Sequence, residues 1–418
     1  MSCTHRYSMI YDVIIIGGGA AGMMAAGLAG EKGLSVLLLE KNGRLGRKLA
    51  ITGKGRCNVC NNCTREEFFD NIPTNPRFLY SSYSSFDKDD TMAFFEGLGV
   101  PLKTERGNRV FPVSDKAADI VSALERFVRK NKVTVKQAAA LSAEKGDVFT
   151  VVTDRGTFQG KMLLIATGGR SYPATGSTGD GYALAKAFGH SIVTPKPSLV
   201  PLVTKEKWPS ECMGLSLKNV TVTLMQKDKT LYSDLGEMLF THFGLSGPLV
   251  LSASGHIRDI SKPHRIHIDL KPALDAAKLD LRIQRDFEEY KNREIINSLS
   301  KLLPAKLIPV IVRLSGIPAD KRVNSVTREE RLRLGALIKD VTMDIAAFRP
   351  IDEAIITSGG VSVKEIDPKT MESKLVKGLY FAGEVIDTDA YTGGFNLQIA
   401  WSTAHAAASA MTPDTESI

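Results

Sequence analysis

Six residues near the start of the chain, Gly17-Gly-Gly19-Ala20-Ala21-Gly22, have the spacing of a turn built to receive phosphate. Gly17 permits a tight turn, Gly19 lets a pyrophosphate approach the backbone, and Gly22 lets a helix pack closely on a strand. A helix starting there offers unpaired N–H groups and the positive end of its dipole to the phosphates. Glu40, further along, can accept both hydroxyls of an adenosine ribose, and its charge disfavours a 2′-phosphate. Together these residues predict a dinucleotide site.

The elements that must position them can also be read. Residues 11–16 are a β-branched run, as expected for a strand buried on both faces of a parallel sheet. Residues 23–32 read as helix with Gly33 at its end, and residues 35–39 as a second strand ending at Glu40.

Three later segments point to FAD rather than NAD. The first carries Lys41, Arg47, Lys48, Thr52, Gly53, Arg56, Cys57 and Asn58, whose cations and close glycines suit a loop folded over phosphates and ribityl chain. The second is an apolar strand ending in Ala166-Thr167-Gly168-Gly169, a turn expected to pass beside the cofactor. The third is an apolar strand ending in Gly383-Glu384-Val-Ile-Asp387. It is followed by Tyr391-Thr-Gly-Gly394-Phe395-Asn396-Leu-Gln398 and an Ala-rich helix. That helix start is expected at the flavin N1/O2 edge, where its dipole favours negative charge. Between the first two segments, Ser114 or Asp115 is expected to cap a helix to Lys130. A short strand at 133–135 and a β-meander over 147–153 and 157–165 should follow.

Composition bounds the rest. A chain of 418 residues predicts two domains, with room for a third, and 43% hydrophobic with 24% charged residues is the balance of a soluble globular protein. No apolar run approaches the length of a membrane span, and the opening MSCTHRYSMIYD lacks the core of a signal peptide, so a cytoplasmic location without membrane contact is expected. The net charge is +8, and residues 41–65 hold seven Lys/Arg and no Asp or Glu. Phosphate contacts and a solvated surface account for this; no nucleic-acid motif accompanies it, and no nucleic-acid partner is expected. Cysteines stand at 3, 57, 60, 63 and 212. The 57/60/63 spacing resembles an iron–sulfur run, but no well-placed fourth Cys follows, so free thiols and no metal are expected.

The runs Gly46-Arg-Lys-Leu-Ala-Ile-Thr-Gly-Lys-Gly-Arg-Cys-Asn58, Thr241-His-Phe-Gly-Leu-Ser-Gly-Pro248, Thr357-Ser-Gly-Gly-Val361 and Gly383-Glu-Val-Ile-Asp387 resemble a bacterial family of NAD(P)/FAD-dependent oxidoreductases. That family includes aminoacetone oxidase-like flavoproteins and a flavin-dependent bile-acid C=C reductase. Cys60, Cys63 and Ala390 depart from its pattern locally. The resemblance implies an α/β fold: a Rossmann-like FAD-binding domain of the two-dinucleotide-domain flavoprotein type, with an inserted domain. On this reading residues 1–193 and 347–418 bind FAD. Residues 194–346 form a β-barrel-like cap with a helical subdomain. Strands near 199–204, 217–225 and 265–270 and helices over 273–290, 294–303, 304–314 and 327–338 agree with it.

His242 is the leading acid/base candidate, against a role in ordering its own loop. Tyr391 can cover the flavin or donate a proton, or simply pack; Asp180 is expected to cap a helix. The substrate is expected to lie between the flavin and the inserted region. The leading function is hydride transfer at flavin N5 with a small organic molecule. It is either reduction of a conjugated C=C, with NAD(P)H as transient reductant, or oxidation of an amine or amino-ketone by oxygen. An RNA-modifying flavoenzyme and a flavin-dependent sensor or assembly protein remain as alternatives.

Overall fold

The computed structural model describes residues 9–412, so Cys3 and most of the opening segment lie outside the described residues. The chain divides into two compact units after Ser198 and after Glu353, a few residues beyond the joins read from the sequence at 193/194 and 346/347.

The first unit is built on a seven-stranded sheet. Strand β1 (Ile10–Ile16), helix α1 (Ala20–Glu31) and strand β2 (Val36–Glu40) form the opening unit, each a little displaced from its sequence-derived bounds. β1 runs parallel to β2 on one side and to the strand Gly156–Ile165 on the other. Val13, Ile14 and Ile15 are wholly buried there, as β-branched residues are when both faces of a strand are covered. The meander is present as Phe149–Thr153 and Gly156–Ile165, with a third strand, Ala140–Lys145, that the sequence did not betray because most of its side chains are exposed.

The helix Ala117–Lys130 buries Ile120, Leu124, Phe127 and Val128 as its periodicity predicts. Its expected caps are corrected: Lys116 is the N-cap without a side-chain bond, while Asp115 sits in the left-handed region at φ 57° and bonds Arg56 and Lys103. Late in the chain the strand Leu379–Phe381 pairs in parallel with the end of Gly156–Ile165. It leads to the C-terminal helix Phe395–Ala410, which packs on α1 and buries Trp401, whose Nε1 donates to the Val59 carbonyl at 2.9 Å.

The second unit is a closed six-stranded barrel carrying helices. Its strands follow the order Leu202–Thr204, Gly244–Ser246, Lys229–Phe240, Ser216–Gln226, Arg265–Asp269 and Val341–Phe348. Inward residues alternate along Ser216–Gln226, Arg265–Asp269 and Val341–Phe348, with Val222, Leu224, Ile266, Ile268 and Met343 wholly buried. Helices Ala276–Glu289 and Arg328–Lys339 begin at Asp275 and Thr327, whose side chains accept N–H groups of their first turns. The predicted helix over 294–303 is instead a single 3₁₀ turn, Ile295–Asn297.

Candidate cofactor and active site

Geometry at the phosphate turn follows from its glycines. Gly17 has φ 107°, and its N–H donates to the Leu39 carbonyl at 2.8 Å. A Cβ on Gly17 would lie 2.5 Å from the Ala166 carbonyl oxygen, so the second predicted segment passes directly behind the first. Gly19, the N-cap of α1, faces open space. Neither a side-chain cap nor an acidic residue occupies the first turn after it, which carries Ala20 and Ala21. Glu40 Oε2 accepts the Gly18 N–H at 2.8 Å, and Oε1 accepts the Asn42 N–H and side-chain amide at 2.7 Å each. The carboxylate is thereby fixed at the mouth of the turn.

The basic loop beyond β2 sends its cations in different directions. Helix α2 (Arg47–Gly55) is interrupted where Thr52 turns extended at ψ 152° and Gly53 and Lys54 turn left-handed. Thr52 accepts the Cys57 N–H through its carbonyl, and Cys57 itself has φ 59°. A Cβ on Gly53 would lie 3.0 Å from the Asn58 backbone nitrogen. Arg47 donates to Asn42, and Lys41 pairs with Asp180. Asp180 is therefore not the expected cap; it is the first residue of its helix, Asp180–Ala187, with Gly179 before it. Arg56, expected over phosphate, is committed elsewhere: it pairs with Glu105 and Asp115 and stacks 4.1 Å above Phe111.

Lys48 reaches the third segment. Its Nζ lies 2.6 Å from both Glu384 Oε2 and Ser171 Oγ, and Glu384 Oε1 accepts the Thr357 N–H at 2.9 Å and the Ser171 hydroxyl at 3.0 Å. A Cβ on Gly169 would strike Thr357 Oγ1 at 2.5 Å, and one on Gly383 would lie 3.0 Å from the Ala21 Cβ. Gly168 makes the turn at φ 74°. All three cofactor-reading segments thus meet around Lys48 and Glu384. Ser171 and Thr357 were not among the expected site residues, although Thr357 opens one of the runs that carry the family resemblance.

At the C-terminal helix, Gly393 and Gly394 take φ 131° and 101°, and the helix starts without a side-chain cap or an acid in its first turn. Asn58 Oδ1 lies 3.0 Å from where a Gly394 Cβ would be and has no hydrogen-bond partner. Thr167 Oγ1 is likewise buried and unpartnered. Asn396 binds the backbone of Ala390 and Tyr391, and the Tyr391 N–H donates to Asn71 at 3.0 Å, so Tyr391 is held beside the helix start. Phe395 packs on Phe68. Gln398, expected at the cofactor, faces inward: it is 1% exposed and bonds Thr91, the Phe86 carbonyl and Ser402. His242 belongs to the other unit, exposed in the turn after Lys229–Phe240 with its ring edge-on to Phe243.

Asp387 lines a cleft of about 310 Å³ with Asn75, Thr194, Lys196, Ser358 and Gly359. Burial raises its carboxyl above the usual range, the Asn75 amide at 3.0 Å opposes this, and the neighbouring Asp389 charge adds to it. Cys57, Cys60 and Cys63 are buried, and burial pushes Cys57 up to about 12 and Cys63 to about 11. Among the described residues no helix is long and apolar enough to cross a membrane.

Two uncapped helix starts, open space at Gly19, a fixed Glu40 carboxylate and an unpartnered oxygen on Asn58 fit a dinucleotide with its flavin end at Gly394. A 3-dehydro-bile acid delta(4,6)-reductase of Clostridium scindens is 30% identical over 400 residues, covering 94% of this chain and 97% of that one. A ribosomal RNA dihydrouridine synthase of Escherichia coli is 32% identical, covering 95% and 97%. Among solved structures, a 3-ketosteroid delta1-dehydrogenase of Sterolibacterium denitrificans shares the fold at 14% identity and TM-score 0.51, covering 96% and 99%. With the HI0933-like protein Rossmann domain matched over residues 11–410, the chain belongs to the HI0933-like family and is an FAD-dependent oxidoreductase.

Proposed function

We propose that this enzyme reduces a carbon–carbon double bond conjugated to a carbonyl group in a small organic molecule, with NAD(P)H as the external reductant. The two full-length relatives differ in substrate but share this chemistry by name: one reduces a double bond system in a 3-oxo bile acid, the other saturates the uracil ring of RNA. The observation that supports the reading is the double-bond reduction shared by the names of both full-length relatives, beside Asn58 at the helix start at Gly394. FAD, when bound, supplies the hydride.

The chain's own residues have separable tasks. Residues 17–22 and Glu40 would hold the adenosine diphosphate half, and Thr167, Lys48 and Glu384 the middle of the cofactor. Asn58 and the first N–H groups of Phe395–Ala410 would hold the flavin end. Tyr391, fixed through its backbone by Asn71 and Asn396, is the group proposed to deliver the proton to the carbon beside the carbonyl.

A second reading, reduction of uracil within ribosomal RNA, is favoured by the Escherichia coli relative. Product analysis separates the two. Incubation with NADPH or NADH and either a cyclic enone or unmodified ribosomal RNA should give a product heavier by two hydrogens from the enone. Saturation confined to the RNA supports the second reading, and peroxide formation with neither substrate changed contradicts both.

A further inference from the structure

We infer that the cleft at Asp387 receives the carbonyl end of the substrate, and that the Asp387 carboxyl, in its protonated form, donates a hydrogen bond to that oxygen. The inference rests on the proposed conjugated-carbonyl chemistry and adds the subsite that would recognise it.

Chain order puts Asp387 between the two elements proposed to hold the cofactor. Asp387 lies on the segment that runs from Glu384, paired with Lys48, to Tyr391 and the helix start at Gly394. Walls come from the antiparallel ribbon of Ile192–Ser198 and Ile356–Val361, which supplies Thr194, Lys196 and Ser358, and from the loop at Asn75. A volume near 310 Å³ is at the small end of ligand pockets, enough for one ring system or the polar end of a larger molecule.

The two neighbouring acids are not equivalent. Asp389 is 2% exposed and accepts hydroxyls on both oxygens, from Ser198 at 3.2 Å and Ser358 at 2.8 Å. Asp387 receives the Asn75 amide at 3.0 Å and the Gly359 backbone N–H, both of which oppose the effect of burial, and it lines the cavity. Burial and the adjoining Asp389 charge both push the Asp387 carboxyl up, which favours its protonated form. The other titratable groups facing it are Tyr182, from the helix Asp180–Ala187, and Lys196 in the cleft wall. A neutral carboxylic acid next to a carbonyl oxygen acts as a preorganised donor, stabilising negative charge that develops there as hydride reaches the conjugated carbon.

Binding to the oxidised, FAD-loaded protein without reductant tests this apart from turnover. Calorimetric titration with two neutral enones, cyclohexenone and testosterone, should show affinity that is greatest at acidic pH. It should fall as pH rises through the ionisation of Asp387, because the carboxylate has no proton to donate. Asp387→Asn keeps a donor and should bind within a few-fold of the wild type with no pH dependence. Asp387→Ala should bind about tenfold or more weakly at acidic pH. Wild-type binding that is flat with pH, absence of binding by both enones, or an Ala variant that binds as the wild type does would each overturn the inference. The wild-type profile alone decides the matter if the variants fail to fold. Enone binding with the expected pH dependence but no reduction would instead sink the proposed reaction and leave the subsite standing.

Discussion

A Cβ atom on Gly22 would lie 1.8 Å from the Gly17 carbonyl oxygen, a separation no side chain can occupy. The contact is between backbone and backbone, so no rotamer change relieves it. Gly22→Ala must push α1 off β1 or open the turn, at a cost of about 1–3 kcal/mol. The expected outcome is a lower melting temperature and protein purified with little flavin. A variant with wild-type flavin content and stability would show that the helix start is not what holds the phosphates.

Glu40 is tied to Gly18 on one oxygen and to Asn42 on the other. Glu40→Ala should lose most bound flavin. Its melting temperature should fall further in FAD-supplemented buffer, relative to wild type, than without added FAD, because a ligand that binds only the native state stabilises it. Full yellow colour at equal yield would remove the ribose assignment.

The three clustered thiols are buried in apolar surroundings that hold them protonated, with Cys57 pushed up to about 12. They should react with a disulfide reagent at neutral pH far more slowly than free cysteine, and at the free rate once denaturant is added. Anaerobically purified protein should carry no stoichiometric iron or zinc. Metal that disappears in Cys60→Ser, or rapid labelling of the folded chain, would contradict this.

His256, in the barrel unit, stands beside Tyr232, and burial with Arg258 nearby pushes its imidazole from 6.5 down to about 4. The sign is fixed by the depressed value: the unfolded chain takes up a proton at 6.5 that the folded chain refuses. Stability contributed by the neutral ring is present above 6.5 and is lost as pH falls toward about 4. Chemical denaturation across that range should show a shallower acid loss in His256→Gln than in the wild type. Parallel profiles would assign the acid sensitivity to other groups.

The strand, glycine turn and helix that open the chain's first unit were legible because they are neighbours in sequence and each has a local cause. The cleft was not, since Asn75, Lys196, Ser358 and Asp387 come from four separate stretches with no shared spacing. Pro195 and Pro197 read as punctuation but lie inside the strand Ile192–Ser198, which pairs with one partner only. Strand Lys229–Phe240 escaped notice because most of its side chains are not buried, leaving no alternation to read. Arg56 and Gln398 show the limit of reading a cofactor loop by residue type. A cation near phosphate-binding glycines was claimed by Glu105 and Asp115, and an amide one turn into the last helix faced the protein interior.

The proposed reaction is tested most directly by anaerobic stopped-flow on the reduced, FAD-loaded enzyme. Mixing with a conjugated enone should restore the oxidised flavin spectrum in step with formation of the saturated ketone, faster than mixing with oxygen. Tyr391→Phe should slow that step roughly 100-fold while leaving reduction by NAD(P)H unchanged. Reoxidation by oxygen alone, with enones inert over the same time, would contradict the assignment of this enzyme as a reductase of conjugated double bonds.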